Sequence, residues 1–171
     1  MKRIVTCTLL LLCAAVFSAQ TSYVLLSGDG IEFRKEQLEG RITVCFYETY
    51  KTMNVNETVK KNLEGLMNGL NDDRKNFVQI LGVTDCTEAK WPFVALWKKG
   101  LIAVSEQYKQ TIYGDWKGEM KQDLLLNLEN PHLIIFNPQG AIVYHIQSAI
   151  SPEDEKVIVQ TLENLFREQN L

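Results

Sequence analysis

The sequence predicts one α/β domain, a three-layer sandwich with helices on both faces of a mixed central sheet and an N-terminal β-hairpin at its entrance. Three observations carry this. Residues 42–47, Ile-Thr-Val-Cys-Phe-Tyr, are apolar towards both faces, as a strand between two covering layers requires. Amphipathic helical stretches alternate with such runs, which is the order that crossover connections produce. Residues 133–136 and 141–146 flank the turn Asn137-Pro138-Gln139-Gly140 and read as an antiparallel pair, so the sheet is mixed. A chain of 171 residues with 46% hydrophobic content is enough for one ordinary core.

At the N-terminus, Lys2 and Arg3 precede an unbroken apolar or small run over residues 4–17, and polar Gln20, Thr21 and Ser22 follow. This is the pattern of a cleaved signal peptide over residues 1–18, leaving a domain over 19–171 in a periplasmic or secreted location. The run is shorter than the ~20 residues of a bilayer span and no later segment is apolar enough, so no integral membrane segment is expected in the mature chain. Removal of residues 1–18 leaves 16 basic and 21 acidic residues, a net charge of −5, which argues against nucleic acid as a partner. Cys7 and Cys13 leave with the leader; Cys45 and Cys86 remain, too few for a disulfide framework.

The elements follow in order. Residues 23–26, the turn Gly28-Asp29-Gly30 and the alternating Ile31 and Phe33 form the hairpin, and residues 36–39 make one helical turn before Gly40. After the central strand, Asn54 or Asn56 caps a helix whose stripe is Val59, Leu63, Leu66, Met67 and Leu70, which Asn71, Asp72 and Asp73 stop. Residues 77–84 then form a strand parallel to the first. Pro92 opens a crossover helix expected to bury the face of Phe93, Val94, Trp97, Leu101 and Val104, although Trp91, Lys98 and Lys99 beside it give the composition of an interfacial membrane helix. Residues 111–113 are a short strand and 119–126 a helix. Ser151, Pro152, Glu153 and Asp154 start the last helix, with Ile158, Leu162, Leu165 and Phe166 as its buried stripe.

This order resembles the thioredoxin-like superfamily, in its redoxin or peroxiredoxin-like branch. The resemblance rests on Gly30-Ile31-Glu32-Phe33, on residues 38–44 (Leu-Glu-Gly-Arg-Ile-Thr-Val), and on residues 130–136 (Asn-Pro-His-Leu-Ile-Ile-Phe) with the turn at Gly140. Residues 113–118 (Tyr-Gly-Asp-Trp-Lys-Gly) and the lack of a Cys-x-x-Cys motif look most like the YtfJ-type exported proteins. Within the branch, the redox cysteines would fall near Lys51 and Asn54, at the helix start after the central strand. Neither residue can carry thiolate chemistry. The resemblance further implies a cis bond at Pro131 and a shallow surface bordered by Tyr50, Lys51, Thr52, Met53, Asn130 and Pro131, able to accept an extended peptide.

Other chemistry is sparse. Cys45 lies within the predicted central strand and is expected to be buried filler. Cys86 sits past the second strand, at the carboxyl edge where α/β sheets place their sites; Asp85 would raise its pKa and a helix starting near Thr87 would lower it. Their positions on neighbouring strands predict two free thiols. His132 and His145 lack companions at metal spacing, and no hydrolase triad, phosphate loop or cofactor motif is visible. Asp115-Trp116 reads as a turn with the indole over the sheet edge. Two function classes follow. The first is an exported thioredoxin-fold accessory, binding or stress-related, whose partner is an extended peptide or another exported protein. The alternative is a thiol oxidoreductase or peroxide-reactive redoxin using Cys86.

Overall fold

The computed structural model describes residues 22–171, so the expected leader over residues 1–18 lies outside the described residues. Strands β1 (Val24–Ser27), β2 (Glu32–Arg34), β3 (Ile42–Glu48), β4 (Val78–Asp85), β5 (Ile112–Asp115), β6 (His132–Phe136) and β7 (Ile142–Gln147) form one sheet in the order β2-β1-β5-β4-β3-β6-β7. Pairs β3/β4 and β4/β5 are parallel; β1/β2, β1/β5, β3/β6 and β6/β7 are antiparallel. The sheet is therefore mixed, as the sequence predicts. Helices α1 (Glu57–Asn68), α2 (Asp72–Phe77), α3 (Val94–Tyr108), α4 (Glu119–Asp123) and α5 (Pro152–Glu168) accompany it, with a 3-10 turn at Lys35–Leu38.

All seven residues of β3 are buried. Ile42, Val44 and Phe46 face a core built from the α1 stripe Val59, Leu63 and Met67 and the α5 stripe Ile158, Leu162, Leu165 and Phe166. Cys45 and Tyr47 face the opposite core, with Tyr23, Leu25, Phe33, Leu38, Met120 and Leu126. Alternation along one strand thus holds the two layers together. The start of α5 is fixed by a capping box: the Ser151 hydroxyl accepts from the Asp154 N–H at 3.1 Å and the Asp154 carboxylate accepts from the Ser151 N–H at 2.9 Å. Helix α3 packs against β5 and β1. The β1–β2 turn comes so close to it that a Cβ on Gly28 would lie 2.3 Å from the Lys98 carbonyl oxygen, which leaves room for glycine alone.

Four expectations are corrected. Helix α1 ends at Asn68 with Gly69 as its cap, and Asn71-Asp72-Asp73 starts another helix instead of stopping the first: the Asn71 side chain accepts from the Arg74 N–H at 2.9 Å and the acids sit at the positive end of α2. The cis peptide bond is Trp91–Pro92, not Asn130–Pro131; Pro131 directly precedes β6, a strand-entry position where its missing donor is tolerated. No helix starts near Thr87; residues 86–93 are turn and coil up to α3. Finally, the expected face of α3 is covered only in part: Leu101 is buried, Val94, Trp97 and Val104 are half-buried, and Phe93, just before the helix, is 61% exposed, with Trp91 and Leu96 nearby at 89% and 66%.

Asn56 shows how the end of β3 is tied to the rest. Its side chain accepts from the Ile150 N–H at 2.9 Å and donates to the Ser148 carbonyl at 3.4 Å, instead of capping its own helix. Replacing this 2% exposed residue strands two backbone groups of the β7–α5 connection. Asn56→Ala is expected to lower unfolding stability by about 1–3 kcal/mol in chemical denaturation; a loss well below that would show that solvent reaches both groups.

Candidate functional site

Residues 49–56 connect β3 to α1 at the carboxyl end of the parallel strands. The connection folds on itself through two threonines: the Thr49 N–H donates to the Thr52 hydroxyl at 2.9 Å, and the Thr49 carbonyl accepts from Thr52 N–H at 3.1 Å and Met53 N–H at 3.0 Å. Thr52 is thereby buried, while Tyr50, Lys51 and Asn54 project outward and Met53 is half-buried. Tyr47 pairs with His132 in the β3/β6 register, so Pro131 and Asn130 continue beside Glu48 and Thr49. Pro131 is buried and Asn130 exposed. Of the six surface residues read from the sequence, Tyr50, Lys51, Met53 and Asn130 are thus open to a ligand, and Thr52 and Pro131 are part of the framework.

Tyr50 and Met53 meet α3, a contact the sequence reading did not include. The Tyr50 and Trp97 rings stand edge to face, with centroids 5.9 Å apart, and Tyr50, Met53, Thr84, Leu96, Trp97, Gly100, Leu101 and Val104 line an apolar groove of about 310 Å³. Met53, Thr84 and Val104 also line a deeper chamber of about 70 Å³ walled by Phe46, Ile80, Tyr108 and Ile112. On the chamber wall lies an ion pair between Glu48 and Lys60 at 2.5 Å; Lys60 Nζ donates in addition to the Met53 carbonyl at 2.8 Å. The second Glu48 oxygen, Oε1, is buried and has no hydrogen-bond partner. Burial raises the Glu48 carboxyl to about 7, against the attraction of Lys60. These partners are twelve residues apart in sequence, without periodicity or motif to link them; a lone acid closing an apolar strand was the available signal.

Neither thiol is poised for attack. Cys45 is fully buried and burial pushes its pKa far up, with Glu48 adding to the effect. Cys86 is 1% exposed and is pushed up to about 12 by burial first, then by Asp85 and Asp115. Both stand unbridged. Around Cys86 the carboxylates are fully engaged: Asp115 accepts from the Tyr47 hydroxyl at 3.0 Å, Glu119 N–H at 2.9 Å and Lys121 N–H at 3.0 Å, while Asp85 accepts from Thr87 and from Lys121 Nζ at 3.1 Å. Trp116 donates its indole N–H to the Leu26 carbonyl at 2.8 Å, tying β1 to the β5–α4 turn. These contacts make Asp115-Trp116 a framework corner.

His132 and His145 come together across β6 and β7, stacked with centroids 5.3 Å apart. The Asn127 carbonyl, 2.5 Å from His132 Nε2, can only accept; the proton therefore sits on Nε2, and His132 Nδ1 accepts from His145 Nε2 at 3.0 Å. Burial holds both imidazoles below their usual pKa, with mutual repulsion adding to the effect on His145. Among the described residues, no group of three or more His, Cys, Asp or Glu gathers as a metal site.

Two outcomes follow from these environments. A thiol at about 12 instead of 9.0 has about a thousandfold less thiolate at neutral to mildly alkaline pH, so alkylation of Cys86 in the native protein is expected to lag the unfolded chain by at least that factor. Equal rates would show an open thiol. For Glu48, the folded chain keeps a proton that the unfolded chain releases between 4.5 and about 7. That contribution to stability is fully present below pH 4.5 and is lost as pH rises through about 7. Glu48→Gln lacks the titration, so its stability relative to the native protein is expected to rise between pH 4.5 and about pH 8 in denaturant unfolding. A flat difference would refute burial as the cause.

No protein-family model and no curated protein sequence matches the chain. Solved structures do. The exposed lipoprotein thioredoxin Etrx1 of Streptococcus pneumoniae aligns at a TM-score of 0.62 with 13% identity, over 84% of this chain and 98% of that one. A candidate thiol:disulfide interchange protein DsbE from Chlorobium tepidum gives 0.61 with 11% identity, over 84% and 92%. StoA from Bacillus subtilis gives 0.54 with 14% identity, over 83% and 94%. The strand order, the parallel β3-α1-β4 unit and these alignments agree: the chain has the thioredoxin-like fold.

Proposed function

We propose that this protein is an exported thioredoxin-fold accessory without dithiol chemistry, binding or stress-related in role, that holds an extended apolar segment of another exported protein between the Tyr50–Met53 turn and α3. The observation that carries the reading is the groove itself. Where the family resemblance puts sulfur, Lys51 and Asn54 are exposed, and beside them Tyr50, Met53, Leu96 and Trp97 present an apolar surface. Trp91 and Phe93 extend it, and contiguous exposed aromatic surface of this kind marks interaction sites. The YtfJ-type resemblance and the signal-like N-terminus support export; among the described residues no helix is long and apolar enough to cross a membrane.

A second reading, thiol chemistry at Cys86, is favoured by the structural neighbours, which include a thioredoxin and a candidate thiol:disulfide interchange protein. Burial of the sulfur weighs against it.

The two are separated by assaying the mature protein. Under the binding reading it neither reduces disulfides nor consumes peroxide, it binds an extended apolar peptide with a change in tryptophan fluorescence, and Tyr50→Ala and Trp97→Ala each weaken binding about tenfold or more. Rapid peroxide-driven oxidation lost in Cys86→Ser would establish the thiol reading instead.

A further inference from the structure

The chamber beneath the groove carries a chemical demand that an apolar peptide alone does not meet. Glu48 is 6% exposed and closes the central strand, with Oε2 paired to Lys60 and Oε1 buried without a donor. A carboxylate oxygen left without a donor in the interior is costly, and its lone pairs are the strongest unused acceptor on this side of the sheet. Glu64, exposed at the rim on α1, adds a second carboxylate against the single ammonium of Lys60, so the chamber leans negative. Two of the three Lys60 N–H groups are directed at Glu48 and the Met53 carbonyl. The walls suit a cation as well: Lys60 Nζ already lies 5.5 Å from the Phe46 ring centroid and 5.9 Å from that of Tyr108. Gly82 keeps the floor open, since a Cβ there would meet Ile112 Cδ1 at 2.5 Å.

We infer that the groove and chamber together form a binding site for an amphipathic primary amine, whose apolar body lies between Tyr50, Met53 and Trp97 and whose ammonium donates to Glu48 Oε1. Such an amine is a free small molecule or the tip of a lysine side chain, and the groove volume of about 310 Å³ is at the low end of small-molecule sites, about 300–1,000 Å³. The assignment builds on the groove of the preceding reading, but it concerns the chamber and needs no peptide. Titratable groups facing the ammonium are Glu48 on β3, Lys60 and Glu64 on α1 and Tyr108 on α3. Protonation of Glu48 in mildly acidic solution removes its charge, so amine binding weakens there.

The probe is phenethylamine, with 3-phenylpropionate as the anion of similar shape, titrated into the mature protein and followed by the side-chain resonances of Trp97 and Glu48. Phenethylamine is expected to bind at about millimolar concentration, the anion to bind at least tenfold more weakly, and Glu48→Gln to weaken the amine about tenfold. Val104→Phe fills the chamber from α3 and is expected to abolish binding while the circular dichroism of the fold is kept, so the result does not hang on one variant. Nα-acetyl-lysine amide, with its side-chain amine free, distinguishes the sources: capture of it as well as phenethylamine identifies a peptide lysine as a sufficient ligand, and capture of phenethylamine alone identifies a free amine. Equal affinity for amine and anion, amine affinity unchanged in folded Glu48→Gln or Val104→Phe, or no shift at Glu48 with saturating amine each overturns the assignment. Failure to bind the apolar peptide with amine binding intact removes the preceding reading and leaves this one standing.

Discussion

Everything in this domain depends on the burial of β3. Seven consecutive residues, from Ile42 to Glu48, are withdrawn from water, with hydrogen-bonded neighbours on both edges and a hydrophobic core on each face. Each large apolar side chain buried here contributes roughly 1.5–3 kcal/mol, and the strand aligns β4 and β6 by register. Its amino end is pinned where the Gly40 N–H donates to the Pro138 carbonyl at 2.8 Å, which sets the β6–β7 turn against the strand entry. Its carboxyl end leads into the folded turn at Thr49 and Thr52, so the position of Tyr50 and Met53 is a direct consequence of the strand's placement.

The same burial creates the polar features of the site. A strand that ends inside the protein brings its last side chains with it. Tyr47 reaches Asp115 and so anchors the β5–α4 corner. Glu48 reaches Lys60 with one oxygen and leaves the other unpaired. The opposite fates of these neighbours come from the two faces they project to. On one, α4 supplies backbone N–H groups to the carboxylate; on the other, α3 stands off and leaves a cleft instead of a donor. Thiol chemistry loses ground for a related reason. Cys86 lies against Gly114 and Trp116, in a corner whose carboxylates are engaged in structural hydrogen bonds.

Much of this was legible in the chain itself. The double-faced apolar run of residues 42–47, the stripes at Val59, Leu63 and Met67 and at Ile158, Leu162 and Phe166, the Ser151 capping box and the turn before Gly140 are local patterns, and the structure contains each of them. They determined the fold class and the mixed sheet, because periodicity and capping are properties of neighbouring residues. The expectation that two cysteines stay apart follows from the same strand geometry. The absence of sulfur at residues 49–56 was equally plain in the sequence.

What only the tertiary structure decided is which faces meet. The stripe of α3 has helical spacing whether it is buried or bare, and packing buried Leu101, left Val94, Trp97 and Val104 half-buried and left Phe93 exposed. Glu48 and Lys60, His132 and His145, and Tyr47 and Asp115 are each brought together by strand register or helix packing over sequence separations of 12 to 68, where no local pattern can register them. The sequence determined by itself that this is an α/β sandwich with no cysteine at the turn that follows its central strand. That the turn faces an open aromatic groove with an unpaired carboxylate oxygen beneath it was set by long-range packing, since a side chain's partner depends on where its helix lands and not on the residues beside it.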